Sequence, residues 1–292
     1  MPGRELVRSD LEKALSTWTH KGKTKGYPAS AQEIDELVLL YDQYDTGNGK
    51  SAAQLKGKAL EDALLKATHD AFDQLAERRR LAFIREELMA DIDRCPICGI
   101  LPVRELDHFL PRSKYKALSI YRRNLIPLCH DCNNIKSNRA GGEAGDFVHA
   151  YFDTLPDRDL IVADTAIQGD VLDISFRVVN DSDIDQTIIL KLRNQLSTLK
   201  LSARFRREIN TYLSSLASSL HILWDTLGEQ GVRIVLEKQI VTEIATHHRN
   251  DWRVATLRSV ANNTAFCSGG FRDVYPQVPS APLVEASQGD GA

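Results

Sequence analysis

The chain has 292 residues, of which 42% are hydrophobic and 26% charged, and its net charge is −3. These values are ordinary for a water-soluble globular chain of one large domain or two to three small ones. No stretch approaches the ~20 apolar residues of a membrane span, and the opening residues Met1 to Asp10 lack the apolar core of a secretory signal. A cytoplasmic protein that does not engage membranes is therefore expected.

Ser30-x-x-Glu33 and Ser51-x-x-Gln54 read as capping boxes that open helices. The glycines of Asp45 to Lys50 mark a turn between them. From about Ala52, Leu60, Leu64, Ala67, Ala71 and Leu75 recur at helical spacing, and Leu81, Ile84 and Leu88 continue the pattern. One long or kinked helix leading to Cys95 is expected. Val103 to His108 and Asn124 to Leu128 read as strands, and a helix starts near Asp131, a plausible N-cap. Beyond a break after Arg139, Leu160 to Ala163 and Val171 to Val179 read as a hairpin through Gln168-Gly-Asp. Helical spacing follows in Ile209 to Leu223, Val232 to His247 and Trp252 to Val260. From Pro276 the composition turns to Pro, Ser, Gly and Ala, which predicts a disordered tail. The expected divisions are a helical arm (1–93), a core (94–140), a mostly helical region with the hairpin (141–275) and the tail (276–292).

Cys95-x-x-Cys98 and Cys129-x-x-Cys132 form two knuckles, and four thiols at this spacing can close one tetrahedral zinc site. A redox dithiol would need one pair only. His130 stands between two better ligands. With all four positions filled by protein, the zinc is structural and contributes folding energy. It pins the 30-residue loop from Gly99 to Leu128, which carries Asp107, His108 and Asn124, with Asn133 just beyond the last ligand. From Arg94 to Arg139 nine Lys and Arg face three acids, a local +6 suited to a polyanion. Cys267 reads as a small buried hydrophobe.

The pattern C-x-x-C, D-H-x-x-P, N-L, C-x-x-C-N-x-x-K across Cys95 to Lys136 resembles the HNH nucleases. The resemblance implies a small zinc-stapled ββα-metal core, and with the helical spacing and short β-hairpin read in its flanks the chain is expected to be α+β and mainly α. It implies a DNA endonuclease leaving 5′-phosphate and 3′-hydroxyl ends. His108 would be the general base, its rate rising as the ring loses its proton. Asp107 and Asn133 would hold one Mg²⁺ or Mn²⁺ ion through hard oxygens. Asn124 would fix the loop that carries the base. Lys136, Arg112, Lys114 and Arg139 would contact phosphates. Two other readings stay open: a zinc-knuckle module that binds nucleic acid without cutting, and a latent nuclease subunit beside an ATPase partner. A homodimer would supply two active sites for a double-strand cut. Bland readings suit the rest. Arg78 to Arg80 and Arg204, Arg206 and Arg207 read as solvated helix faces, His247 and His248 as capping charges, and Phe147, His149 and Tyr151 as packing residues.

Overall fold

In the computed structural model, which describes residues 3–137 and 147–277, helix α1 (Arg4–Ala14) buries Val7, Leu11 and Ala14 at helical spacing. A hairpin follows, β1 (Thr17–His20) with β2 (Lys23–Gly26), paired antiparallel from Thr17 opposite Gly26 to His20 opposite Lys23. Its turn residues Lys21 and Gly22 both have positive φ, the backbone of a two-residue type I′ turn. The sequence reading did not find α1 or this hairpin.

Helix α2 (Ala31–Thr46) opens with the capping box: Ser30 Oγ accepts from Glu33 N, and the Glu33 carboxylate accepts from Ser30 N. The turn expected after it is present, with Asn48 and Gly49 at positive φ. The long helix expected from Ala52 is not. Ser51-x-x-Gln54 opens only a 3-10 turn, Gln54–Lys56, which Gly57 ends in the left-handed region. Then come α3 (Asp62–Ala71) and α4 (Ala82–Met89), separated by a second 3-10 turn and by Arg78 at positive φ. The apolar spacing was real, since Leu64, Ala71, Leu75, Leu81 and Ile84 are all buried. It spans three pieces because these backbone conformations interrupt the helical hydrogen bonding.

Strand β3 (Glu105–His108) pairs antiparallel with β4 (Leu125–Leu128), with Asp107 opposite Ile126 and His108 opposite Leu125. Helix α5 (His130–Lys136) follows directly. Its N-cap is Cys129, whose sulfur accepts from Cys132 N, so the expectation of Asp131 is corrected. The second hairpin is β5 (Ile161–Gln168) with β6 (Val171–Val178). Helix α6 (Gln186–Thr198), capped by Asp185, was not foreseen. The last long helices are α7 (Leu201–Leu227), α8 (Glu229–Thr246) and α9 (Trp252–Asn262). Helix content dominates and the strands form isolated pairs, so the chain is α+β and mainly α.

The chain divides into two compact units. The first is Met1–Leu160 with Arg177–Phe205, and the second is Ile161–Phe176 with Arg206–Ala292. Within the second, α9 packs on β5, with Thr165 Oγ1 3.0 Å from Ser259 Oγ and Asn263 Nδ2 donating to Thr165 O. Gly231 is required here, because a Cβ would sit 2.2 Å from the Leu223 carbonyl oxygen. Cys267 is fully buried, with its thiol 3.4 Å from Val260 O. Among the described residues no helix is long and apolar enough to cross a membrane. Arg139, the break after it and residues 278–292 of the expected tail lie outside the described residues.

Candidate functional site

Both knuckles sit in the first unit and converge. The Sγ atoms of Cys95, Cys98, Cys129 and Cys132 lie within 4.8 Å of one another, and all four residues are buried. Four soft donors at that separation suit a tetrahedral zinc ion, so the cluster can hold one with no position left for substrate. Arg204 covers it: Nη1 lies 3.2 Å from Cys132 Sγ, Nη2 3.9 Å from Cys129 Sγ and 3.7 Å from Asp131 Oδ2. Burial acts to lower the pKa of Arg204, but its hydrogen bonds to Cys132 and Cys129 and the charge interactions with the cysteines together outweigh that, and the guanidinium is held firmly charged. Arg204 is thus a partner of the thiolates rather than part of a solvated helix face. No sequence spacing marks it, because it lies 72 residues from Cys132.

His108 closes β3 and is buried. Its Nε2 lies 2.8 Å from Ser119 O, and its ring stacks at a tilt 4.4 Å from Phe72. Burial pushes its pKa down to about 4. The loop between the strands hangs on Asn124, which is completely buried. Its Oδ1 accepts from Leu110 N and from Tyr44 Oη, and its Nδ2 donates to Leu110 O and Leu118 O. One amide therefore joins both ends of the loop, which leaves its four bonding positions filled.

Asp107 and Lys136 form a buried pair, with Nζ 2.6 Å from Oδ2 and side chains 12% and 2% exposed. Lys136 also donates to His108 O. The ammonium group expected to contact a phosphate lies inside the protein and is paired with Asp107. Burial raises the Asp107 carboxyl pKa, and the nearby ammonium acts against that rise.

Asn133 Nδ2 donates to Glu105 Oε2 at 2.6 Å, and His130 Nδ1 lies 2.7 Å from Glu105 Oε1. The sequence reading missed Glu105. Its signal was available, because it lies two residues before Asp107 and so on the same face of β3.

The cationic segment is only partly a surface. Arg122 is buried in a two-pronged contact with Asp10 and also reaches Glu87, while Arg123 is buried against Asp45. Lys114 is exposed, and Arg112 is half-buried over Phe72 and beside Asp73.

One comparison with known proteins falls on this same segment. Residues 95–139 match the HNH endonuclease family model. The HNH segment therefore includes all four cysteines and the β3–β4–α5 unit. The chain is also 30% identical over 131 residues to Protein ea31 of Escherichia phage lambda, a match that covers 44% of each chain. It thus spans less than half the length of that relative. No solved structure matches. The residues flanking the HNH segment contribute to its support nonetheless, through Tyr44, Asp10, Asp45 and Arg204.

Proposed function

We propose that this chain is a metal-dependent endonuclease that hydrolyses DNA phosphodiester bonds with His108 as general base. The carrying observation is the 2.8 Å contact between His108 Nε2 and Ser119 O. A carbonyl oxygen only accepts, so Nε2 keeps the proton and the lone pair falls on Nδ1. With its pKa held down to about 4 by burial, the ring is neutral near pH 7 and able to take a proton from an attacking water. Phe72 and Ser119 hold the ring in place, and Asn124 holds the loop that follows it.

Asp107 and Asn133 are the residues that would hold Mg²⁺ or Mn²⁺. They suit a hard cation: Asp107 offers a carboxylate, and Asn133 commits Nδ2 to Glu105 and keeps its carbonyl oxygen. When bound, such a cation offsets negative charge on the scissile phosphate and on the leaving 3′ oxygen. Burial raises the Asp107 carboxyl pKa, and Lys136 acts against that rise. Arg112 and Lys114, which lie on the loop and are not buried, are proposed to contact phosphates, and Arg139 is proposed for the same role.

Supercoiled plasmid incubated with the protein and Mg²⁺, Mn²⁺ or EDTA, beside His108→Ala, tests this reading. Metal-dependent nicking or linearisation that disappears in the variant is expected. Cutting by His108→Ala at the wild-type rate would overturn the proposal. A zinc-loaded wild type that cuts nothing would favour the subunit that awaits an ATPase partner, or the binding module.

A further inference from the structure

The β1–β2 ribbon has no role in the site just described, yet its composition is far from neutral. From Lys13 to Gln32 the chain carries four lysines and no carboxylate, within a protein of net charge −3. Three of those lysines, Lys21, Lys23 and Lys25, are on the ribbon and exposed. Exposure extends to both faces: every residue of β2 is exposed, and in β1 only Trp18 is half-buried. A sheet that served the core would bury one face and alternate accordingly. Two strands alone are also marginally stable in water.

The register sorts the side chains by chemistry. Trp18 opposes Lys25 and His20 opposes Lys23, so these four share one face. Thr17, Thr19 and Thr24 share the other, and Lys21 sits at the tip. One face is therefore cationic with an aromatic ring, and the other carries hydroxyls.

The base of the ribbon, by contrast, is fixed. The Arg80 guanidinium lies 4.1 Å from the Trp18 ring centroid and donates to Ser16 Oγ at 2.8 Å and Ala14 O at 3.0 Å. The indole covers Gly26, where a Cβ would stand 2.5 Å from the ring. The ribbon is thus held at its root with its lysines left in solvent.

We propose that this ribbon is a duplex-DNA contact, laid into a groove with Lys21, Lys23 and Lys25 on the backbone phosphates. A two-stranded ribbon fits the ~12 Å major groove, and lysines recognise phosphates as point charges. The absence of any carboxylate over this stretch leaves nothing to repel the polyanion. The inference takes duplex DNA as ligand from the nuclease reading, but it concerns binding and is separable from cutting.

The test is fluorescence anisotropy of full-length protein with a labelled duplex, without divalent cation and in the His108→Ala background so that no cutting intervenes. The parent is compared with a variant carrying Lys21→Ala, Lys23→Ala and Lys25→Ala across a salt series. The expected result is a Kd raised about tenfold or more at ~0.1 M salt, and a slope of log K against log salt that falls by up to about 0.9 per lysine. A second variant, with arginine at the same three positions, is expected to bind as the parent does. A parent that binds no duplex, or an alanine variant with unchanged Kd and slope, overturns the proposal. So does equal loss in the arginine variant, which would assign the effect to folding of the ribbon. The plasmid assay of the nuclease reading can succeed or fail independently of all these outcomes.

Discussion

Tyr44 in α2 donates its hydroxyl to Asn124 Oδ1 at 3.2 Å, across 80 residues of sequence. The same hydroxyl meets His149 Nε2 at 2.9 Å, so a residue of α2 joins the amide that carries the His108 loop to a buried imidazole. Tyr44→Phe removes both contacts with almost no change in volume. It is expected to cost about 1–3 kcal/mol of stability, because Asn124 and His149 each lose a buried partner. Urea unfolding measures this, with zinc content unchanged. An unaltered midpoint would mean that the hydroxyl adds nothing.

If His108 is the general base proposed above, its pKa sets the pH dependence of cutting. Burial holds its pKa to about 4, below the 6.5 of an ordinary histidine. The neutral form needed in a base is present above that value and is lost as pH falls through it. Between roughly pH 5 and 8 this group should leave the single-turnover rate flat, not rising as the unperturbed residue type suggests. A steep climb through pH 6 to 7 would show that the ring titrates in an environment much wetter than this pocket.

Lys136→Met leaves the Asp107 carboxylate buried without its ammonium partner. Removing one member of a buried pair costs about 3–5 kcal/mol, so a loss of that order is expected at neutral pH. The Asp107 pKa, already raised by burial, should rise further without Lys136. The destabilisation should therefore shrink as the pH is lowered and the carboxyl protonates. Equilibrium unfolding at two pH values separates this from loss of packing, which would be the same at both.

Arg204→Ala should weaken zinc binding by about 10-fold or more, the usual cost of deleting a partner that orients and neutralises metal ligands. Competition with a chromophoric chelator reads this directly. An affinity equal to wild type would show that the Arg204 contacts with Cys129 and Cys132 carry no weight.

What could be read from the sequence was what spacing alone determines. The two knuckles, the strand ending at His108, the strand read from Asn124 and the helix that begins within the second knuckle all follow from short-range pattern. Ser30 and Glu33 marked α2 because both halves of their cap lie within four residues. The stretch from Ala52 to Leu88 misled because its apolar positions repeat as in one helix, while Gly57 and Arg78 adopt positive φ and divide it. Charge misled similarly: Arg122, Arg123 and Lys136 counted toward a cationic patch, but folding buries them and pairs them with carboxylates distant in sequence. Glu105 and Arg204 gain their importance only from contacts that folding creates.

Those internal arginines bear on portability. Arg122 and Arg123 immediately precede Asn124, and their partners Asp10, Asp45 and Glu87 all come from the first ninety residues. Excised as a cassette and grafted elsewhere, residues 95–139 would bring two guanidinium groups that demand carboxylates the new host does not provide. The family segment is small, but its smallest transplantable form includes the amino-terminal helices that answer those charges.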